Sequence, residues 1–156
     1  MNISPRYIFL AGGAALLLWW LKMKNEVDFL ARTMWGEARG EGDKGMQAVA
    51  NVIMNRVAKK SWFGTGIIGV VLKDWKFSVW NLNDPNRAKI MGVTKDDPAF
   101  ARALDIAARV ISGELPDITG GATHYYAESM DIPPDWVYSM TITTIVGFHI
   151  FMKEKD

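Results

Sequence analysis

Between Tyr7 and Leu21 the chain runs for fifteen residues (YIFLAGGAALLLWWL) without a charged or strongly polar side chain. Such a run has to be taken out of water, and this divides the chain into a hydrophobic leader and whatever folds after it. As a helix it spans about 22 Å, at roughly 1.5 Å per residue, against a bilayer hydrocarbon core of about 30 Å. Arg6 on one side and Lys22 and Lys24 on the other can cover part of the difference by reaching toward the headgroups. Gly12, Gly13 and three alanines lower both its hydrophobicity and its helix propensity, so the run predicts a weak membrane anchor. A cleaved signal peptide needs small residues at the end of the apolar stretch, where this chain has Leu-Trp-Trp-Leu-Lys-Met-Lys; its small residues come too early, at positions 11–15. A buried helix of a cytosolic protein is the other alternative. The preferred division is an uncleaved export segment over residues 1–24 and one folded domain over residues 25–156. The flanking charges set no orientation, because the amino terminus and Arg6 oppose the two lysines.

A chain of 156 residues suits a single core, and with 49% apolar and 22% charged residues it can bury one. The net charge is +1, from 18 basic and 17 acidic residues, which argues against nucleic acid as a partner. The absence of cysteine excludes disulfides and thiolate catalysis. A zinc site would have to rest on carboxylates with His124 and His149, and no HExxH or other ligand spacing supports one, so neither metal nor cofactor is expected. Export remains open, since periplasmic proteins need no disulfide. Seven tryptophans suit both stacking on sugar rings and filling a core.

From Glu26 the apolar positions Val27, Leu30, Ala31 and Met34 recur at helical spacing, and the glycines from Gly36 to Gly45 predict an end near Gly40. A second helix is expected over Lys44–Lys59, with Met46, Val49, Ala50, Ile53 and Val57 on one face. Gln47, Asn51 and Asn55 form an amide stripe on another. Ser61–Lys95 reads as irregular structure with short helical turns. Asp97-Pro98 is a helix start, with Asp97 as N-cap and Pro98 at N1. The expected apolar face there is Phe100, Leu104, Ala107, Ala108 and Ile111, ending at Gly113. The segments 122–127 and 137–152 favour strands. The sum is an α+β fold, mainly helical, with a small antiparallel β-sheet.

Glu37 follows Leu30 by seven residues, about 20° short of two full turns, so it shares the face of Leu30 and Met34. A carboxyl at the edge of an apolar face, beside Trp35, is desolvated, and desolvation raises its pKa. A carboxylic acid that keeps its proton near neutral pH suits glycosidic cleavage, where the leaving oxygen must be protonated. Glu41, one turn further on, adds a like charge expected to push in the same direction. An ordinary solvated Glu pair at a helix end fits the same periodicity.

The run ARTMWGEARGEG at 31–42, followed by QAVANVIMNRV at 47–57, resembles the SleB/CwlJ-type cell-wall hydrolases. So do Phe77-Ser78-Val79-Trp80-Asn81 with Asp84-Pro85-Asn86, the stretch Ala122-Thr123-His124-Tyr125-Tyr126-Ala127 with Pro134-x-Trp136, and Val146-Gly147-Phe148-His149-Ile150-Phe151. The motifs follow in family order from about Leu30 to Phe151. The resemblance implies a lysozyme-like, lytic-transglycosylase-type fold in which the first Glu of Gly-Glu-Ala-Arg-Gly-Glu, here Glu37, is the catalytic acid. Glu41 is expected as a supporting residue, and Thr144 as a hydrogen-bonding aid to the acid or the substrate. Substrate contacts are expected from Phe77, Ser78, Trp80, Asn81, His124, Tyr125, Tyr126 and Trp136, with Trp80 and Tyr126 in the groove and the rest shared with the core. Asn55-Arg56 is expected to tie helix to loop.

A hydrolase usually needs a second carboxylate. Asp84, Asp131 and Asp135 are candidates, each in turn-like surroundings. A transglycosylase needs one, because the muramic acid's own hydroxymethyl oxygen attacks the anomeric carbon. The family resemblance favours this single-acid course over a hydrolytic muramidase. With the leader, the chain looks like a signal-anchor-release endolysin, a phage enzyme exported to the host's inner membrane, held there through residues 7–21, and released into the periplasm as a monomer on peptidoglycan glycan strands. Residues 11–20 would then repack on the domain. A host wall-remodelling enzyme fits the same residues. A non-enzymatic wall-binding protein is the rival from another class, and an amidase or peptidase lacks the metal or Cys/His groups it would need.

Overall fold

The computed structural model describes residues 5–74 and 76–155, with side chains from Gly13 onward. Residues 1–4 of the leader, and the side chains of Arg6 and of the leader up to Gly12, lie outside the described part. Among the described residues there are five α-helices: α1 (Pro5–Ala38), α2 (Gly42–Lys59), α3 (Gly66–Val71), α4 (Arg87–Gly92) and α5 (Pro98–Ile111). Three strands follow: β1 (His124–Ala127), β2 (Met140–Val146) and β3 (His149–Glu154). The sheet is antiparallel throughout, in the order β1-β3-β2.

No break separates leader from domain. The helix expected to begin at Glu26 is continuous from Pro5, so Glu37 sits near the C-terminal end of the same 34-residue helix that starts in the leader. Leu16, Leu17, Leu18, Trp19, Trp20 and Leu21 are all exposed. Among the described residues no helix is long and apolar enough to cross a membrane.

From Leu30 on, α1 becomes core: Leu30, Ala31 and Met34 are fully buried, as are Met46, Val49, Ala50 and Ile53 of α2. Asp97 accepts the Phe100 N–H at 2.9 Å with Pro98 at the first turn, as expected. The buried face of α5 is Phe100, Ala103, Ile106, Ala107 and Val110, while Ala108 is exposed, so the face expected from the sequence is rotated. It is set by what α1 and α2 offer against it. The opposite side of α2 meets the sheet through a smaller core of Ala48, Val52, Ala122 and Phe151. The expected strand start at Val137 is also corrected: Asp135–Ser139 is a 3-10 turn and the strand begins at Met140.

The amide stripe of α2 seats one loop along its length. Gln47 donates to the Pro116 carbonyl at 3.0 Å, and the Asn51 side chain accepts the Ile118 N–H at 3.2 Å. Asn55 donates to the carbonyl of Ala122 at 3.0 Å, with Asp117 and Thr119 also in reach. Three neutral amides thereby fix the entry into β1, the strand that faces Glu37.

Candidate active site

Glu37 projects from the last turn of α1, where neighbours from three elements surround its carboxyl. Tyr125 of β1 donates its hydroxyl to Oε2 at 2.9 Å, while Oε1 is buried with no partner among the described residues. Desolvation pushes the carboxyl pKa up. The bond from Tyr125 and the backbone N–H of Val79 act the other way, the charge of Asp84 adds to the rise, and that of Arg56 opposes it. The like charge beside Glu37 is therefore Asp84, not Glu41 as the sequence suggested. Burial beside this carboxyl lifts the Tyr125 hydroxyl well above its usual range, so it stays a donor.

Close packing brings Val79 to Glu37. At Gly36 a Cβ would lie 2.9 Å from the Ile90 methyl and 3.0 Å from Val79, so only glycine lets these chains approach α1. Ser78–Trp80 is a 3-10 turn whose Trp80 indole donates to Thr33 Oγ1 at 2.9 Å and stacks on Phe29 at 5.2 Å. Arg87 braces this turn from α4 through the Trp80 carbonyl at 2.6 Å. Trp80, Asn81 and Asp84 line an open groove of about 670 Å³ together with Leu72, Lys73 and Asp74. The Val79 N–H acts on Glu37 while Trp80, its neighbour in this turn, lines the groove.

The structure brings most of the expected residues to this region in distinct roles. Trp80 and Asn81 line the groove, and Ser78 is exposed beside them. Phe77 is corrected: at 2% exposure it belongs to the core, where its ring lies 5.1 Å from the Arg56 guanidinium carbon. Tyr125 holds the acid instead of offering its face to a sugar. His124, Tyr126 and Trp136 form an aromatic cluster, with Trp136 at 5.0 Å from His124 and 6.0 Å from Tyr126. Phe63 and Trp62 also pack near His124, at 5.7 and 6.5 Å. Burial, with Arg56 and Lys76 nearby, pushes His124 down to about 4, so it is neutral at physiological pH. Among the described residues no group of three or more His, Asp or Glu is placed to hold a metal ion.

Glu41 serves the hairpin. Its Oε2 accepts the Phe148 N–H at 2.9 Å at the β2–β3 turn, and a side chain at Gly147 would collide with that carboxylate. Gly147 also has φ of +57°. Thr144 pairs with Phe151 just after a register shift in β2, and the hydroxyl bond in this stretch is made by Thr143 to the Phe151 carbonyl at 3.2 Å. Asp131 and Asp135 lie in the segment leading to β2, and Asp84 is the acidic candidate whose charge reaches Glu37. The clustering of Trp62, Phe63 and Lys76 around His124 carries no local signal in sequence, because it joins three separate segments.

A buried acid on the last turn of a helix, a strand tyrosine bonded to it and a flanking groove define a mainly helical α+β domain of the lysozyme-like kind. The chain belongs to the cell wall hydrolase family, whose model matches residues 40–152. That match begins just after Glu37. The chain is 31% identical over 127 residues to a spore cortex-lytic enzyme of Halalkalibacterium halodurans, covering 81% of this chain and 34% of that protein. A spore cortex-lytic enzyme of Bacillus cereus is 30% identical, with coverage of 83% and 45%. The chain thus spans less than half the length of these relatives. The crystal structure of the catalytic domain of Bacillus cereus SleB superposes with a TM-score of 0.62 at 27% identity, covering 83% of this chain and 91% of that one. The catalytic domain of the germination-specific lytic transglycosylase SleB from Bacillus anthracis gives the same TM-score at 29% identity, with coverage of 83% and 94%.

Proposed function

We propose that this chain cleaves the MurNAc–GlcNAc backbone of peptidoglycan, with Glu37 as general acid and then base, as a lytic transglycosylase. The observation that carries the reading is the state of Glu37: a desolvated carboxyl with one oxygen held by Tyr125 and the other buried without a partner among the described residues. Tyr125 donates to Oε2, which leaves Oε1 to carry the proton. Handing that proton to a bridging oxygen requires the side chain, or the Ser78–Trp80 turn beside it, to shift and uncover the buried Oε1. The ionised carboxylate then takes the proton of the muramic hydroxymethyl group as its oxygen closes on the anomeric carbon.

A hydrolytic muramidase is the second reading, and Asp84 is what favours it. It lines the groove and acts electrostatically on Glu37, as a second carboxylate of a hydrolase would. Mass spectrometry of digested sacculi separates the two: anhydro-muramic ends are expected, and reducing ends select the muramidase. Glu37→Gln is expected to release no muropeptides while still binding sacculi; wild-type release by that variant removes the acid from the mechanism.

The N-terminal segment is read as an export tether, and the whole as an endolysin that breaks its host's wall from the periplasmic side. Six consecutive exposed apolar residues support this. Successive helical positions turn by about 100°, so Leu16–Leu21 face every direction, and lipid, not a groove on one partner, suits such a surface. Lys22 and Lys24 then stand at the headgroups. Release of the tether and action as a monomer are part of this reading.

A further inference from the structure

We propose that Arg56 is a positioning residue for the proton-carrying pair Glu37–Tyr125, serving the reaction through its charge and not only as a tie between helix and loop. The inference rests on the glycan-cleaving reading above. Arg56 is 5% exposed on the inner side of α2. Its Nε donates to the Thr123 carbonyl at 2.7 Å, two residues before Tyr125 on the same chain. Nη1 is buried and has no partner among the described residues. No carboxylate forms an ion pair with it in the described part, and its guanidinium carbon lies instead 5.3 Å from the ring centre of Phe63 and 5.1 Å from that of Phe77.

A tie alone does not need a charge. The preceding residue, Asn55, binds the same loop at Ala122 with a neutral amide. Burying a guanidinium costs desolvation, which pushes Arg56 down to about 10, yet leaves it cationic at any physiological pH. Its Nε bond to Thr123 fixes that cation two residues along the chain from Tyr125, and its charge acts on the Glu37 carboxyl and the Tyr125 hydroxyl. The arrangement suits a carboxyl that must both lose and regain a proton. Desolvation and Asp84 favour the acid, while Arg56, the Tyr125 hydroxyl and the Val79 N–H favour the carboxylate, so neither form is out of reach. The other titratable groups around this pair are His124 and Lys76, which feel the Arg56 charge, and His149, whose ring lies 5.2 Å from that of Tyr125. Through Thr123, the same guanidinium also sets where β1 presents the Tyr125 hydroxyl.

The test compares Arg56→Gln and Arg56→Lys in the full chain, by the pH dependence of sacculus solubilisation, by carboxyl-carbon NMR titration of Glu37 and by melting temperature. Loss of the charge in Arg56→Gln is expected to raise the Glu37 midpoint and move the alkaline limb of the rate profile to higher pH, by roughly half a unit or more. Arg56→Lys keeps the charge and is expected to keep both near wild type, while losing the fork geometry and therefore about tenfold in kcat with little change in KM. A Glu37 midpoint that is the same in wild type and Arg56→Gln, with only the melting temperature lowered, makes Arg56 a structural tie and overturns the proposal. If Arg56→Gln does not fold, Arg56→Met removes the charge in its place: a Glu37 midpoint equal to that of wild type overturns the proposal, and a raised midpoint sustains it. The NMR titration needs no turnover, so failure of the glycan-cleaving reading is told apart from failure of the charge coupling.

Discussion

In the glycan-cleaving reading proposed above, Glu37 holds a proton that a solvated carboxyl would release. Its folded pKa lies above the ordinary value because the side chain is desolvated. The folded state therefore binds the extra proton, and its stability falls as pH rises from the ordinary carboxyl value through the folded one. Glu37→Gln removes this cost, so its melting temperature is expected to exceed that of wild type at neutral pH while activity is lost. Calorimetry at pH 5 and pH 8 checks the sign: the advantage of the variant should be larger at pH 8. Tyr125 acts on the same equilibrium from the other side, since its hydroxyl bond favours the carboxylate. In Tyr125→Phe the alkaline limb of the rate profile is expected at higher pH. The rate at the optimum should fall roughly tenfold, the equivalent of about one hydrogen bond. A limb that stays in place in Tyr125→Phe would detach the tyrosine from the titration of the acid.

At the level of elements, the site exists because helix, turn and hairpin are clamped to one another. Arg32 donates to the carbonyls of Ile90 and Val93 at 2.5 and 3.2 Å, closing the end of α4 against α1. Glu41 joins the end of α1 to the β2–β3 turn, and that hairpin carries the strand on which β1 pairs. Glu41→Ala gives the Phe148 N–H up to solvent, and Gly147→Ala meets both the Glu41 carboxylate and a positive φ. Gly147→Ala is expected to destabilise the fold by about 1–3 kcal/mol, and Glu41→Ala, which loses a surface bond, by about 0.5–1.5 kcal/mol. The double variant should cost less than the sum, because both act on one contact. Chemical denaturation of the three proteins measures this, and simple additivity would mean that the two residues act independently.

Across the whole molecule, the continuity of α1 joins the N-terminal apolar run to Glu37. Leu21 and Glu37 are sixteen residues apart on one helix, about 24 Å at the usual rise, so a membrane holding the leader would hold the acid at a set height. The exposed turns before Met23 add little to the core, whose α1 contribution starts with Val27 and Leu30. Deletion of residues 1–21 is expected to leave the melting temperature within about 3 °C of wild type, since few buried contacts are lost. The truncated chain is also expected to stay in the supernatant when the full chain sediments with vesicles. A large loss of stability on deletion would show the leader packed on the domain.

Features set by neighbours along the chain were legible without coordinates. The helical repeat of Leu30, Met34 and Glu37 marked a carboxyl on a buried face, Asp97-Pro98 marked a helix start, and β-branched and aromatic residues marked the sheet. Each follows from backbone geometry over a few residues, where spacing alone says which side chains share a surface. The partners of that carboxyl were not legible, because they come from distant segments. Asp84 and not Glu41 supplies the like charge, Tyr125 binds the acid, Phe77 leaves the groove for the core, and a cation on α2 stands behind them all. The rotated face of α5 and the unbroken run of α1 belong to the same group. Electrostatics and packing depend on distance in space, and only the closing of α1, α2 and the sheet on one another decided those distances.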